Sequence, residues 1–359
     1  RNHILTLTVF CPNIGEYHNI TKEEVPFIND EMNVQKISED FYCKEGDIIF
    51  ADASEDLIDV GKSIEIVNLN NEKLLSGLHT LLARPKSKTF SKGFNGFLLK
   101  SNSVRSQIQK ESQGSKVLSI NVSRISNIEI SFPTLPEQQQ IAHFFTVIDD
   151  RLQILQKQKE LLEQYKKGMM QRLFSQSLRF KDEDGLDYPD WMEKKLGEVC
   201  EIQGGYAFKS NLFNLGSTKV IRIGDIYPSI CMEKFNGTVS LEIPDSKYIV
   251  KKNDFIMALS GATFGKVGKI KDNGIGYINQ RVALFRTKEC LEYYYQLVQT
   301  DEFRKYIFSI PTASAQPNIS NGDILNYTSN IPSLPEQTKI ANFLSEIDGK
   351  LANIQAQVV

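Results

Sequence analysis

The chain has 359 residues, enough for two domains each with its own core, and a formal net charge of -2. With 41% hydrophobic and 24% charged residues and no apolar run of membrane-spanning length, it reads as an ordinary soluble globular protein. Charge gives no footprint for nucleic acid: residues 191–331 carry 17 Lys+Arg against 14 Asp+Glu, and residues 1–133 carry 15 against 17, so contact with DNA must rest on local patches or a partner's charge. Five scattered cysteines, Cys11, Cys43, Cys200, Cys231 and Cys290, form no C-x-x-C pair. A reducing cytoplasm fits them better than a disulfide framework or a zinc site. Arg1-Asn2-His3 leads into a strand-like run with no secretory pattern.

In chain order, residues 1–133 read as a mixed, β-dominated domain. Strands are predicted over 4–10, 47–51, 63–67, 80–83 and 128–132, and a helix over 97–111. Residues 134–177 read as one long helix, with Gly168 as a point of weakness, and 178–190 as a polar linker. Residues 191–331 repeat the first order, with strands over 220–223, 254–259, 267–271 and 282–286 and a helix over 291–308. Residues 332–359 read as a second helix.

The string LPEQ opens both helices, at Leu135 and at Leu334. At an offset of 199, residues 133–158 and 332–357 share 13 identities in 26 positions, so the chain is two copies of one unit. Thr134-x-x-Glu137 and Ser333-x-x-Glu336 read as capping boxes. Apolar residues then recur in steps of three and four: Ile141, Phe145, Ile148, Leu152, Leu155, Leu162, Met169 and Leu173, and in the second copy Ile340, Leu344, Ile347, Leu351, Ile354 and Val358. That heptad pattern predicts two helices packed on each other rather than lone surface helices, with Lys159 and Lys166 on the seam. A helix over 134–177 is roughly 66 Å long at about 1.5 Å per residue. The linker reaches at most about 45 Å. It cannot return to the helix start, so the second helix is expected to run antiparallel. The expected fold is α+β: two similar mixed β-rich domains joined by two long antiparallel coiled-coil helices, a pseudo-twofold dumbbell.

The order domain, LPEQ-led helix, linker, Trp191-Met192-Glu193-Lys194-Lys195-Leu196-Gly197-Glu198-Val199, domain, LPEQ-led helix resembles the DNA-specificity subunit of type I restriction-modification systems. Gly204-Gly205-Tyr206-Ala207-Phe208, the run 220–226, Asn279-Gln280-Arg281 and Pro317-Asn318-Ile319 carry the resemblance further, over nearly the whole chain. It implies two target-recognition domains, 1–133 and 191–331, each reading half of a bipartite site in double-stranded DNA, with the helices setting the unread gap. It implies a non-catalytic, cytoplasmic subunit, embraced by two methyltransferase subunits and joined by restriction/translocase subunits, with no membrane association. S-adenosylmethionine and ATP/Mg belong, on this reading, to those partners. Two departures stand out. No counterpart of 191–208 precedes Arg1, and the second helix stops at Val359, short of its partner; trimmed ends are the expectation.

Arg and Lys suit guanine, and Asn and Gln suit adenine, in the major groove. On expected loops the second domain offers Lys209, Ser210, Asn211, Thr263, Lys266, Asn279, Gln280, Arg281, Gln316 and Asn318; the first offers Ser54, Lys62, His79, Lys116, Asn121 and Arg124. Each alone is as readily a solvated loop residue; as a set on one face they favour DNA. Catalytic signatures fail. Gly261-Ala262-Thr263-Phe264-Gly265-Lys266-Val267 lacks phosphate-loop spacing, and Pro244-Asp245 lacks the second carboxylate of a nuclease. No Asn-Pro-Pro-aromatic run marks a methyltransferase, and His3, His18, His79 and His143 show no metal spacing. The residues leave open a second class, a coiled-coil scaffold binding protein partners without intrinsic DNA specificity. A third, a self-contained restriction enzyme, lacks its chemistry.

Overall fold

The computed structural model describes the backbone of residues 4–7 and, in full, residues 38–71, 73–311 and 318–358. The predicted strand residues 8–10 and the candidate contact Gln316 lie outside them. The chain divides into two compact units, Arg1–Ile154 and Leu155–Val359.

Unit 1 contains β1 (Ile4–Leu7), β2 (Ile48–Ala51), β3 (Ala53–Ser54), β4 (Ser63–Glu65), β5 (Lys73–Ser76), β6 (Thr80–Ala83), α1 (Phe94–Leu98), α2 (Asn102–Glu111), β7 (Leu118–Ser119), α3 (Val122–Ile125) and the first half of α4 (Leu135–Phe174). Its centre is the antiparallel sheet β4-β2-β6, in which Ile49 faces Ile64 on one side and Leu82 on the other. Alternate residues feed opposite faces of a strand. Ile49 accordingly joins Ile64, Ile66 and Leu74 in one core, while Phe50 joins Val60, Val104, Ile108 and Ile120 in another. The pairs β3-β7 (antiparallel) and β1-β5 (parallel) flank the sheet.

Unit 2 begins with the rest of α4. It continues with β8 (Met192–Lys195), α5 (Leu196–Val199), β9 (Cys200–Gly204), β10 (Phe213–Ile221), β11 (Ser229–Ile230), β12 (Val239–Ser240), β13 (Ile249–Val250), β14 (Phe255–Ala258), β15 (Val267–Ile270), β16 (Gly276–Ile278), β17 (Val282–Thr287), α6 (Leu291–Leu297), α7 (Asp301–Ser309), α8 (Asn321–Leu325), β18 (Thr328–Ile331) and α9 (Leu334–Val358). Its sheets run β11-β15-β14-β17-β9 and β12-β10-β16-β13, with β18-β8 as a separate pair. The central β15-β14-β17 repeats β4-β2-β6, again antiparallel throughout. Phe255 and Phe285 stack at 4.4 Å over a core that includes Tyr293, Tyr294 and Phe303.

Several duplicated details explain why both sequences take this shape. The turn entering the central strand has Gly46 at φ +89° in unit 1 and Asn253 at +70° in unit 2, the left-handed region that Gly and Asn tolerate best. Asp47 and Asp254 follow, both buried. Each accepts a backbone N–H three residues upstream, from Lys44 at 2.7 Å and Lys251 at 2.6 Å, and each pairs with an arginine at the end of the third strand, Arg84 just after β6 or Arg286 within the last two residues of β17. Arg84 grips its carboxylate with two bonds, 2.9 and 2.7 Å, which raises the guanidinium's already high pKa further. The leading glutamine of each long helix is buried in the same way. Gln138 Oε1 accepts from Ser91 N at 2.9 Å and its amide donates to Pro133 O at 2.9 Å; Gln337 Oε1 accepts from Cys290 N at 3.4 Å and its amide donates to Pro332 O at 3.0 Å. The last letter of LPEQ therefore fixes each helix start to the unit it leaves.

The expected helices 97–111 and 291–308 are each broken in two, at corresponding places. Ser101 and Thr300 take extended backbone, and Thr300 Oγ1 accepts from Phe303 N at 3.2 Å to start α7. The strand expected over 128–132 is absent. In unit 2 the corresponding β18 pairs with β8, whereas residues 128–132 pair with no strand among the described residues. The capping box at Ser333 is not made either: its hydroxyl is buried with no partner, and Glu336 turns elsewhere.

α4 runs unbroken through Gly168 and stops at Phe174, where Gln176 at φ +61° turns the chain. Within unit 2 its second half packs antiparallel on α9. Lys159 Nζ reaches Gln355 Oε1 at 2.7 Å and Lys166 Nζ reaches Asp348 Oδ1 at 2.6 Å, so ascending one helix means descending the other. Leu162, Met170 and Leu173 meet Ile340, Leu344, Ile347 and Leu351 in one apolar cluster. Leu155 is buried and Ile354 half-buried nearby. The other seam candidates do not enter that cluster: Ile141 and Leu152 are half-buried, and Phe145 and Ile148 are exposed. No helix among the described residues is long and apolar enough to cross a membrane.

Candidate nucleic-acid interface

In unit 2 the end of β14 gathers three loops. Ala258 N donates to Lys266 O at 2.9 Å, and Gly265 N donates back to Ala258 O at 2.9 Å, closing the turn 259–264. Leu259 N donates to Arg281 O at 2.9 Å and Ile319 N to Leu259 O at 3.1 Å. Ser260 bridges Asn318, and Tyr206 bridges Asn279. Backbone bonds thus draw Thr263, Lys266, Asn279, Gln280, Arg281 and Asn318 to one edge. Arg281 Nη1 also donates to Asn318 Oδ1 at 3.1 Å, aligning a guanidinium with an amide. Lys266, Gln280, Arg281 and Asn318 are exposed; Asn279 is half-buried and accepts from Gln280 N at 2.9 Å. Thr263 turns its hydroxyl inward, where it finds no partner. Lys209, Ser210 and Asn211 are exposed on a short turn, tied down by the Lys209 N bond of 2.8 Å to Glu242, which also accepts from Tyr206 OH at 3.2 Å.

The same backbone frame recurs in unit 1. Ala51 N donates to Lys62 O at 2.8 Å, Gly61 N to Ala51 O at 2.9 Å, Asp52 N to His79 O at 3.2 Å and Ile120 N to Asp52 O at 2.8 Å. Lys62 therefore stands where Lys266 stands, and His79 where Arg281 stands. A side chain at the glycine of this turn would be strained. Gly61 has φ +62° and a Cβ there would lie 2.4 Å from Ile108; Gly265 has φ +74° and would meet the corresponding Ile307 at 3.0 Å.

The remaining unit 1 candidates are held more locally. Lys62 pairs with Asp59 at 2.5 Å, and His79 Nδ1 lies 3.5 Å from Asp52 Oδ1. Ser54 lies in β3, its hydroxyl accepting from Asp56 N at 3.1 Å. Asn121 caps α3 by accepting from Arg124 N at 3.0 Å, and Arg124 donates to Glu111 O at 2.7 Å. Lys116 is exposed on the loop before β7. Two residues of the frame were not among the expected contacts: Ser260, and Ser119, which the 199-residue offset already aligns with Asn318. Among the described residues no cluster of His, Cys, Asp and Glu could hold a metal.

The family model described as "Type I restriction modification DNA specificity domain" matches residues 15–164 and again residues 188–358. The chain belongs to that family. It is 30% identical over 259 residues to the type I restriction enzyme MjaVIII specificity subunit of Methanocaldococcus jannaschii, covering 67% of this chain and 60% of that protein. The MjaIX specificity subunit of the same organism is 22% identical over 280 residues, covering 73% of this chain and 64% of that protein. The chain thus matches a little over three fifths of the length of these relatives. A solved type I restriction-modification S subunit from M. genitalium matches in fold with a TM-score of 0.60 at 15% identity, over 100% of this chain and 88% of that one.

Proposed function

We propose that the chain is the DNA-reading subunit of a type I restriction-modification complex, each unit reading one half of a bipartite duplex site. The observation that carries this reading is the duplicated loop frame. The backbone bonds are conserved between the units while two of the three side chains they present differ: Lys62 matches Lys266, but His79 and Ser119 stand where Arg281 and Asn318 stand. A constant frame with changed donors and acceptors suits two unlike half-sites, because base edges are told apart by donor and acceptor pattern. Near-neutral charge argues that phosphate attraction is supplemented by partners, two methyltransferase subunits and then restriction/translocase subunits. The paired helices set the unread spacer, and S-adenosylmethionine and ATP/Mg chemistry resides in the partners. The expected domain limits, 1–133 and 191–331 with helices 134–177 and 332–359 and linker 178–190, are the working division of labour.

The test is co-expression with the cognate methyltransferase and genome-wide mapping of methylated adenines. Arg281→Ala is expected to relax one half-site, by about 1–3 kcal/mol of lost discrimination for a bidentate contact, and to leave the other half unchanged. His79→Ala is expected to act on the other half alone. Unchanged methylation in both variants, or no DNA binding with or without the methyltransferase, would replace this reading with a protein-binding scaffold.

A further inference from the structure

In unit 1 the helix α2 clasps the turn that leads into β4. Arg105 Nη2 donates to Ile58 O at 2.9 Å and to Val60 O at 2.8 Å, and Gln109 Nε2 donates to Leu57 O at 3.4 Å. Asn102, Arg105 and Gln109 recur in steps of three and four and so share one face of α2. Between that face and the start of β4 lies a cavity whose polar lining is Lys62, Ser63, Lys100, Asn102, Arg105 and Gln109. No carboxylate lines it; Asp59, which pairs with Lys62 at 2.5 Å, stands outside the lining. Two donors on the cavity have no partner. Ser63 is 3% exposed and its hydroxyl is unbonded, and Arg105 Nη1 is buried and unbonded. Burial draws the Arg105 guanidinium below its usual pKa, against the pull of Asp59. Buried donors without acceptors cost stability, and two on one cavity mark a place where an acceptor belongs.

Unit 2 is built differently at the matching positions. Val267 follows Lys266 where Ser63 follows Lys62, and Gln299, Asp301 and Phe308 stand where Lys100, Asn102 and Gln109 stand. Arg304, the counterpart of Arg105, is exposed. Thr300 caps α7 with its own hydroxyl, whereas Ser101 makes no side-chain cap on α2, whose first turn carries no acid.

We propose that the cavity at Lys62, Ser63, Lys100 and Arg105 is a phosphate site and, resting on the DNA reading, that it seats one backbone phosphate beside the half-site of unit 1. A phosphate supplies several acceptor oxygens for the hydroxyl and the guanidinium, and the negative charge that the two lysines face. Lys62 belongs both to the cavity and to the loop frame, so a phosphate held here adjoins the edge that meets the bases. Phosphate contacts fix register without reading sequence. The two units therefore grip the duplex unequally: unit 1 anchors the backbone through this cavity, and Val267, Asp301 and Phe308 deny unit 2 the same anchor.

Two variants test it. Asn102→Asp puts into the cavity the carboxylate that unit 2 carries at Asp301, and an acid in the first turn of α2 favours the helix, so the variant stays folded. Ser63→Ala removes an unbonded hydroxyl and leaves the strand intact. The chain is co-expressed with its methyltransferase, and affinity for a duplex carrying the methylated site is measured over a range of sodium chloride concentrations. Both variants are expected to weaken binding, Asn102→Asp by roughly tenfold, with the slope of log affinity against log salt reduced in magnitude by about one and the methylated sequence unchanged. Parental affinity and slope in both variants overturn the proposal. A changed half-site sequence also overturns it, because the cavity would then read a base. If the parent binds no duplex, the DNA reading fails and inorganic phosphate decides the cavity by itself: phosphorus NMR line broadening that Asn102→Asp abolishes supports a site for free phosphate, and equal broadening by parent and variant overturns it.

Discussion

At the scale of residues, identical letters have different energetics in the two copies. Arg179→Ala strands the buried Glu336 carboxylate and is expected to cost about 3–5 kcal/mol, read from urea unfolding. Glu137→Ala changes an exposed side chain and is expected to stay within about 0.5 kcal/mol of the parent. The cysteines separate similarly. Burial pushes the Cys43 and Cys200 thiols up to about 12, whereas Cys231 is exposed and donates to Asp272. Iodoacetamide at mildly alkaline pH is expected to label Cys231 in the native protein, and Cys43 and Cys200 only after unfolding, as read by peptide mass spectrometry. These two thiols ionise at lower pH unfolded than folded. Their contribution to stability is complete below the ordinary thiol value of 9.0 and is lost as pH rises towards about 12, at about 1.4 kcal/mol per thiol per pH unit.

At the scale of elements, most strands of the two central sheets were legible, and the helices only in part. The runs 47–51, 80–83, 254–259, 267–271 and 282–286 read as strands because buried strands are short, apolar and bounded by turn residues. The breaks at Ser101 and Thr300 were hidden, since a polar residue inside an apolar-rich run resembles its neighbours until the backbone is known to turn there. Thr300→Ala is expected to lose about 1 kcal/mol through the missing cap of α7, measurable by chemical denaturation, with Thr300→Ser restoring most of it. The strand expected over 128–132 is not formed, whereas its counterpart β18 pairs with β8, and such pairing is not recorded in local letters. The same limit applies to the capping boxes: the letters around Ser333 fit the pattern, yet Arg179 and Trp191 from distant sequence outcompete the cap for Glu336.

At the scale of the whole molecule, the repeat organises every other observation. On the proposed reading the helices hold the unread spacer. Inserting or deleting seven residues in 141–177 is expected to change the spacer between methylated half-sites and leave both half-site sequences intact. A changed half-site with an unchanged spacer would refute that division of labour. Among the described residues, Leu162, Met170 and Leu173 of α4 share an apolar cluster with α9, and Ile141, Phe145 and Ile148 do not enter it. A heptad pattern states that a face is apolar. It does not state which segment covers it.

The amino-acid order alone determined the duplication, the two β-rich units, the long paired helices and the family they resemble, because periodicity and repetition are written in neighbouring letters. Only the tertiary structure decided that the loop frame at β14 is rebuilt bond for bond at β2, setting Lys62 with Lys266 and His79 with Arg281. It also decided that Asn121 and Arg124 are held in local structure, and that one LPEQ glutamate is sealed while the other is open. These are facts about residues tens to hundreds of positions apart. Burial and partner choice depend on which distant chain arrives, and local patterns do not encode that.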